Sequence, residues 1–262
     1  MRRRRSCLTV PADDERKLAK AATIAADEVI VDLEDAVAPE RKDVARELAA
    51  RALHDLDWAA VTIAVRVNSA RTQWYADDVA FVRTAKPAVV VVPKVEAAEE
   101  LVGLPVQCEA LIETARGLVQ CEAIAAAPGL EALVFGPGDL AASLGVPELT
   151  IGAGAHSDYS LARIVVAARA AGVSAIDGPY PHHRDGHGFR ASAQRSRALG
   201  YDGKWCIHPA QVELANEIYA PTAEELERAH RILELAGVAS LDGEMIDEAN
   251  RRMAEAIVAR AG

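Results

Sequence analysis

The chain has 262 residues, 51% of them hydrophobic, and its 29 Lys and Arg face 39 Asp and Glu for a net charge of −10. That length fits one barrel-sized domain, and the acidic balance excludes a nucleic-acid-binding protein, which needs clustered positive charge. Four cysteines with no C-x-x-C pair point to reduced thiols in a cytoplasm.

The chain opens on Arg2-Arg3-Arg4-Arg5, like the start of a signal peptide, but Pro11 and Asp13-Asp14 arrive before the required ~7–15 apolar residues. No stretch approaches the ~18 apolar residues of a membrane span, so the expectation is a cytoplasmic protein with no membrane partner. Strand one is residues 6–10, closed by Pro11, and 13–26 follows as a helix with its apolar stripe on Leu18, Ala21, Ala22 and Ala25. Strand two, 29–33, runs into Asp32-Leu33-Glu34-Asp35, and 40–53 is a charged, alanine-rich helix. Strand three, 61–67, is a β-branched run suited to burial on both faces, with Arg66 and Asn68 at its end. A helix at 74–85 leads to strand four, 88–92, which ends on Pro93 and Lys94, and a short helix follows at 96–101. Strand five, 106–112, ends on Glu113; after a helix at 115–126, strand six, 130–135, runs into Gly136-Pro137-Gly138-Asp139. A glycine-rich loop, 145–156, precedes a helix at 159–171. Strand seven, 174–176, ends on Asp177, and the loop 179–188 leads to a helix ending near Leu199-Gly200. Strand eight, 205–207, ends on His208, and Pro209 opens a helix at 211–219.

Strand then helix, eight times over, predicts an α/β fold of the (β/α)8 TIM-barrel type, whose active site lies at the carboxyl ends of the strands. The chain then continues. Thr222-Ala-Glu-Glu225 has the form of a capping box and starts a helix to Leu235, 237–243 reads as a linker, and 246–261 as a last helix. Residues 1–220 thus form the barrel, and 221–262 a helical extension of the same domain, either a lid over the barrel mouth or an arm on a neighbouring subunit.

The strand ends supply the candidate chemistry. Glu113 and Asp139 end neighbouring strands, which lie about 4.8 Å apart, so two carboxylates can share one cation. Mg2+ takes oxygen ligands and keeps open positions for water or substrate, which suits work on a carbonyl or carboxylate. The competing reading is two exposed loop acids. Arg66 lies within an apolar strand and suits a substrate carboxylate bound bidentately, an ion pair with Asp32 or Glu34, or both. Asp32, Glu34 and Asp35 fit supporting roles toward Arg66 and Lys94. Lys94 invites a Schiff-base test, but with so many acids nearby it is expected to be ion-paired and protonated. Gly138, in the tight Gly-Pro-Gly turn, lets backbone N–H groups approach a ligand. The loop with His182, His183 and His187 has no standard metal spacing and reads as solvated. Cys206-Ile-His208 is a poor zinc signal, and nothing resembles a nucleotide fingerprint.

Several stretches resemble one family. Val29-Ile-Val-Asp-Leu-Glu-Asp-Ala-Val-Ala-Pro-Glu40, Leu111-Ile-Glu-Thr-Ala-Arg-Gly117, Gly136-Pro-Gly-Asp-Leu140, Ala175-Ile-Asp-Gly-Pro-Tyr180, Gly200-Tyr-Asp-Gly-Lys-Trp-Cys-Ile-His-Pro-Ala-Gln211 and Gly243-Glu-Met-Ile-Asp247 are similar to the citrate lyase beta-subunit-like and malyl-CoA lyase proteins of the HpcH/HpaI aldolase superfamily. The resemblance implies an Mg2+-dependent (Mg2+ or Mn2+) lyase for reversible C–C cleavage of a 3-hydroxyacyl-CoA, of malyl-, citramalyl- or citryl-CoA type, to acetyl-CoA or propionyl-CoA and a 2-oxo acid. By the same resemblance Glu113 and Asp139 hold the metal, Arg66 binds substrate, and Asp247 is the catalytic carboxylate of a lid; Glu113 and Gly138 are also expected to contact substrate, and Arg66 to share in catalysis. That lid closes on a neighbouring subunit of a homotrimer or a multiple of one. The alternatives are a CoA-free, pyruvate-releasing class II aldolase, or a citrate lyase complex subunit acting on a carrier-bound thioester. Three features depart from the family pattern: Ala12 stands where glycine is frequent, no proline follows Asp247, which can also serve as a helix N-cap, and the His182-His183 loop is unlike the acidic sequence common there.

Overall fold

The computed structural model describes residues 2–58, 62–146 and 155–261, with backbone alone at 155 and 156. Val61 and most of the 145–156 loop lie outside the described residues. Eight parallel strands close into a barrel in simple order: β1 (Ser6–Pro11), β2 (Glu28–Asp32), β3 (Thr62–Arg66), β4 (Val89–Val92), β5 (Gln107–Ile112), β6 (Leu130–Phe135), β7 (Ser174–Asp177) and β8 (Gly203–Cys206). The ring is sealed by β1 against β8, with Cys7 opposite Trp205 and Leu8 opposite Cys206. The (β/α)8 expectation is borne out.

The helices between the strands are α1 (Glu15–Ala22), α2 (Lys42–Asp55), α3 (Tyr75–Ala85), α4 (Ala115–Val119), α5 (Cys121–Ala125), α6 (Pro137–Ser143), α7 (Ala155–Ala171), α8 (Gly186–Leu199) and α9 (Pro209–Tyr219). Side-chain caps set several starts: Asp14 accepts from the Lys17 N–H, Thr114 from Gly117, and Asp185 from Gly188. The single helix expected at 115–126 is two short ones, parted at Gln120. The short helix expected at 96–101 is a 3-10 turn, Ala98–Leu101. α6 begins with Pro137 in its first turn, where the missing N–H costs nothing.

Alternation along each strand decides what fills the barrel. Ile30, Ala64, Val91, Leu111, Val134, Ile176 and Trp205 form its apolar middle. Two residues before or after these, on the same faces, stand charged groups: Glu28 and Glu109 toward the amino ends, Asp32, Arg66 and Glu113 toward the carboxyl ends. The interior is therefore an apolar layer between two polar ones.

The chain divides into two compact units, Met1–Asn216 and Glu217–Gly262. The second contains α10 (Ala223–Glu234), the strands β9 (Ala239–Leu241) and β10 (Glu244–Ile246), and α11 (Glu248–Ala261). Ala229, Ile232, Ile246 and Ala254 form its buried core. The segment 237–243, expected as a linker, instead contributes one strand and the turn of an antiparallel hairpin. Asp242 and Gly243 turn it with φ of 54° and 83°, the two positive values a type I′ turn needs. No helix among the described residues is long and apolar enough to cross a membrane.

Candidate active site at the carboxyl rim of the barrel

Because all eight strands are parallel, their carboxyl ends meet at one rim, and there the sequence-predicted residues of the first unit converge. Arg66 is the centre. Its Nε donates to Asp32 Oδ1 at 2.7 Å and its Nη2 to Asp32 Oδ2 at 2.5 Å, while Nη1 lies 2.9 Å from Glu34 Oε2. The bidentate pair is almost fully buried, and the guanidinium carbon sits 5.3 Å from the Trp205 ring centroid, on the apolar layer. Two of the five N–H donors a guanidinium carries are thus hydrogen-bonded, both to Asp32, while Glu34 Oε2 faces Nη1 as an ion pair. Burial opposes the charge on Arg66, but Asp32 and then Glu34 more than restore it, so its pKa is raised.

Glu34 joins Arg66 to Lys94, whose Nζ is 2.6 Å from Glu34 Oε1, 3.3 Å from Asp35 Oδ2 and 4.0 Å from Asp139 Oδ2. Burial lifts the Glu34 carboxyl above its usual range, against the pull of Arg66 and Lys94. For Lys94, burial works to lower the ammonium's pKa, but the hydrogen bond and charge of Glu34, with Asp35 behind, raise it above the ordinary value. A protonated, ion-paired amine is no Schiff-base nucleophile, as the sequence reading expects. Lys94 also holds a left-handed backbone, φ 54°, a conformation that costs a non-glycine residue roughly 1–3 kcal/mol. That conformation accompanies a hydrogen bond from its backbone N–H to Glu113 Oε1 at 2.9 Å. One residue thus contacts Glu113 with its main chain and Glu34 with its side chain.

Glu113 is buried, and its carboxyl is pushed up to about 8 by burial first, then by the charges of Glu34 and Asp139, with Arg66 and Lys94 acting against them. The cations that face Glu34, Glu113 and Asp139 are Arg66, already hydrogen-bonded to Asp32, and Lys94, already hydrogen-bonded to Glu34. Gly136 leaves the room: a Cβ there would stand 2.4 Å from both Glu113 Cβ and Glu113 Oε2. At Gly138 a Cβ would meet nothing within 4 Å, so open space surrounds that turn. Asp139 lies in the first turn of α6 with its side chain 43% exposed. Among the described residues no group of three or more His, Cys, Asp or Glu is arranged to hold a metal ion. The donor set of Glu113 and Asp139 is therefore two carboxylates, hard oxygens with the remaining positions open, and this fits Mg2+, which keeps waters or substrate oxygens. An open cleft of about 520 Å³ runs beside this group, past Glu34, Lys94, Arg71 and Trp74.

Asp247 belongs to the second unit. Its Oδ1 accepts from the backbone N–H of Ala249 at 2.8 Å and of Asn250 at 3.3 Å, which caps α11. The histidines of the 179–188 loop are exposed; His183 stacks on His208 with ring centroids 5.1 Å apart.

Several residues escape sequence reasoning. Lys42 donates to the carbonyls of Leu33 and Glu34, each at 2.7 Å. Asn68 donates through Nδ2 to Leu33 O and to Asp78, and buried Asp78 is held in turn by Arg46. At the opposite end of the barrel Arg4 Nε lies 3.0 Å from Glu28 and 2.6 Å from Glu109, and its Nη2 pairs with Glu131. Lys42 and Asp78 sit among other charges on helical stretches and look like solvent-facing residues. Glu28 and Glu109 do carry a sign, since each is an acid two residues from an inward apolar position.

With this geometry in place, the description "HpcH/HpaI aldolase/citrate lyase" matches residues 5–209. The chain belongs to the HpcH/HpaI aldolase/citrate lyase family. A (3S)-malyl-CoA thioesterase of Cereibacter sphaeroides is 37% identical over 274 residues, covering 98% of this chain and 94% of the relative. An L-malyl-CoA/beta-methylmalyl-CoA lyase of Rhodobacter capsulatus is 36% identical, covering 92% and 89%. Among solved structures, the protein CitE of Mycobacterium tuberculosis in complex with magnesium, acetoacetate and coenzyme A superposes with a TM-score of 0.87 at 34% identity, covering 98% of this chain and 97% of that one. The HpcH/HpaI family thus places the chain among carbon–carbon lyases and their thioesterase relatives.

Proposed function

We propose that this protein is a CoA-ester lyase that reversibly cleaves a 3-hydroxyacyl-CoA of malyl-, citramalyl- or citryl-CoA type to acetyl-CoA or propionyl-CoA and a 2-oxo acid. One observation carries the reading: Glu113 and Asp139 face a rim where Arg66 and Lys94 are the countercharges, in a chain 34% identical to a structure holding magnesium and coenzyme A.

Glu113 and Asp139 would hold Mg2+ or Mn2+, which when bound supplies Lewis-acid polarisation of the substrate's hydroxyl and carboxylate oxygens. The N–H groups of Arg66 that Asp32 leaves uncommitted bind the carboxylate or the oxygen on which negative charge gathers. Such preorganised charge is worth roughly 2.7–4 kcal/mol for one donor. Asp32 and Glu34 keep that guanidinium oriented, and Lys94 fixes Glu34 and Glu113 relative to each other. The open space at Gly138 admits the substrate close to the backbone. As the hydroxyl proton passes to solvent water, the bond between the hydroxyl carbon and the carbon next to the thioester breaks. Its electron pair passes to the thioester as an enolate. Asp247, through the Oδ2 that its cap leaves unused, protonates that carbon, or removes the proton in the condensing direction. The reading includes a cytoplasmic homotrimer or a multiple of one, in which residues 221–262 serve as the lid. Asp247 then acts on its own barrel or on that of a neighbouring copy.

A second reading, hydrolysis of the thioester, is favoured by the 37% identity to a malyl-CoA thioesterase. One assay separates the readings. Malyl-, methylmalyl-, citramalyl- and citryl-CoA are offered to the purified protein with Mg2+ or EDTA, and 2-oxo acid and free CoA are followed. The lyase reading expects Mg2+-dependent 2-oxo acid, abolished by Glu113→Gln. Free CoA without oxo acid establishes hydrolysis, and no turnover of any thioester overturns both.

A further inference from the structure

Lys42 stands where a lysine is least expected. It opens α2, the end at which the helix dipole disfavours a cation, and only 5% of its surface is exposed. Burial lowers its pKa, with Asp32 and Glu34 working against that. Its Nζ spends two donors on consecutive carbonyls, Leu33 O and Glu34 O, both at 2.7 Å, and faces the Trp74 ring at 5.2 Å. Leu33 O also accepts from Asn68 Nδ2 at 3.0 Å, and Leu33 N–H donates to Arg66 O at 2.9 Å. The peptide units on both sides of the Leu33–Glu34 bond are thus clamped from α2 and from the end of β3. The Glu34 side chain that leaves this clamp spans Arg66 and Lys94, at 2.9 and 2.6 Å.

We propose that Lys42 is a positioning residue of the reaction: it holds the turn after β2 so that Glu34 orients the Arg66 guanidinium and the Lys94 ammonium together. This rests on the lyase reading above. Lys42 touches neither of the groups it acts on, and its effect passes through the Glu34 main chain. Its length is part of the device, because an ammonium on a four-carbon stem reaches both carbonyls from the first turn of the helix. Removing the ammonium frees the turn and loosens the aim of Arg66 and Lys94 while the charges of Arg66, Glu113 and Asp139 stay in the site, so binding survives better than turnover.

Lys42→Met removes the donors at nearly constant volume. Partners that orient active groups are worth roughly 10–100-fold, so kcat with the thioester the wild type cleaves is expected to fall by that factor. KM is expected to stay within about threefold, the signature of an interaction spent in the transition state. A crystal structure of the variant is expected to show Glu34 drawn away from Lys94 or Arg66. Unchanged kcat, or Glu34 still within hydrogen-bond reach of both partners, overturns the proposal. If Lys42→Met does not fold, Lys42→Leu, which likewise removes the donors, carries the same test. Should the wild type cleave no thioester, the lyase reading fails by itself, and the position of Glu34 in the variant still decides the role of Lys42.

Discussion

At the scale of single residues, the site depends as much on what is missing from a side chain as on what is present. Gly136 has an ordinary negative φ, so no backbone strain calls for glycine there; the Glu113 side chain, from its Cβ to its carboxylate, excludes a Cβ. Gly136→Ala is expected to displace Glu113, to lower Mg2+-dependent turnover roughly 10–100-fold and to cost about 1–3 kcal/mol in denaturant unfolding. Gly138→Ala is the contrast, with no steric neighbour and no expected change in stability. Wild-type turnover and wild-type unfolding in Gly136→Ala would remove Glu113 from the proposed chemistry. The Arg66 pairing was readable from residue order, because a cation inside an apolar strand must find acids and Asp32 and Glu34 share a face. Lys42 was not, since its burial arises from the return of the start of α2 onto the turn after β2, a tertiary event that no local pattern carries.

At the scale of elements, start and stop signals of known chemistry were the most legible. Thr222 accepts from the Glu225 N–H at 3.1 Å and Glu225 reaches back to the Thr222 N–H at 2.8 Å, the reciprocal capping box expected from Thr-Ala-Glu-Glu. α10 supplies Ala229 and Ile232 to the small core of the second unit, so its start bears on that unit's stability. Thr222→Ala should lower the unfolding free energy of the full chain's second unit by about 1 kcal/mol, measured by denaturant titration. An unchanged midpoint would mean the cap is worth nothing there. The hairpin after α10 was missed: Leu241-Asp-Gly-Glu244 holds an Asp-Gly turn signal, but the glycines at 237 and 243 make the stretch read as a linker. The break at Gln120 between α4 and α5 carries no proline or glycine at the break itself, and no local signal separates it from a continuous helix.

At the scale of the whole molecule, each end of the barrel holds a carboxyl that burial makes slow to release its proton. At the amino end Glu28 and Glu109 share one guanidinium, and burial first, then Glu109, pushes the Glu28 carboxyl up to about 8 against the pull of Arg4. The folded protein therefore keeps a proton that the unfolded chain, with an ordinary glutamate near 4.5, has already released. Between these values the native state binds more protons, so stability falls as pH rises through the window and levels off above about 8. Glu28→Gln is expected to flatten the decline of melting temperature between pH 6 and 9. Glu113 titrates over a similar range, and it is the difference between the two proteins that isolates the amino-end pair. Parallel melting curves for both would show that Glu28 is not protonated in the native state. The repeat of strand and helix made the ring legible as a whole. The contents of its amino end were less so, because acids there look like ordinary strand boundaries until the arginine arm is folded under them.

The four thiols, all free and buried, have a use of their own. Cys7 and Cys206 lie on β1 and β8, the strands whose pairing joins the beginning of the ring to its end, while Cys108 on β5 and Cys121 on α5 lie elsewhere around it. A thiol reagent reaches a buried sulfur only when the chain around it opens. The unlabelled wild-type protein thus carries its own clock for barrel opening. The order in which its cysteines become reactive records whether the ring parts first at the β1–β8 seam or away from it.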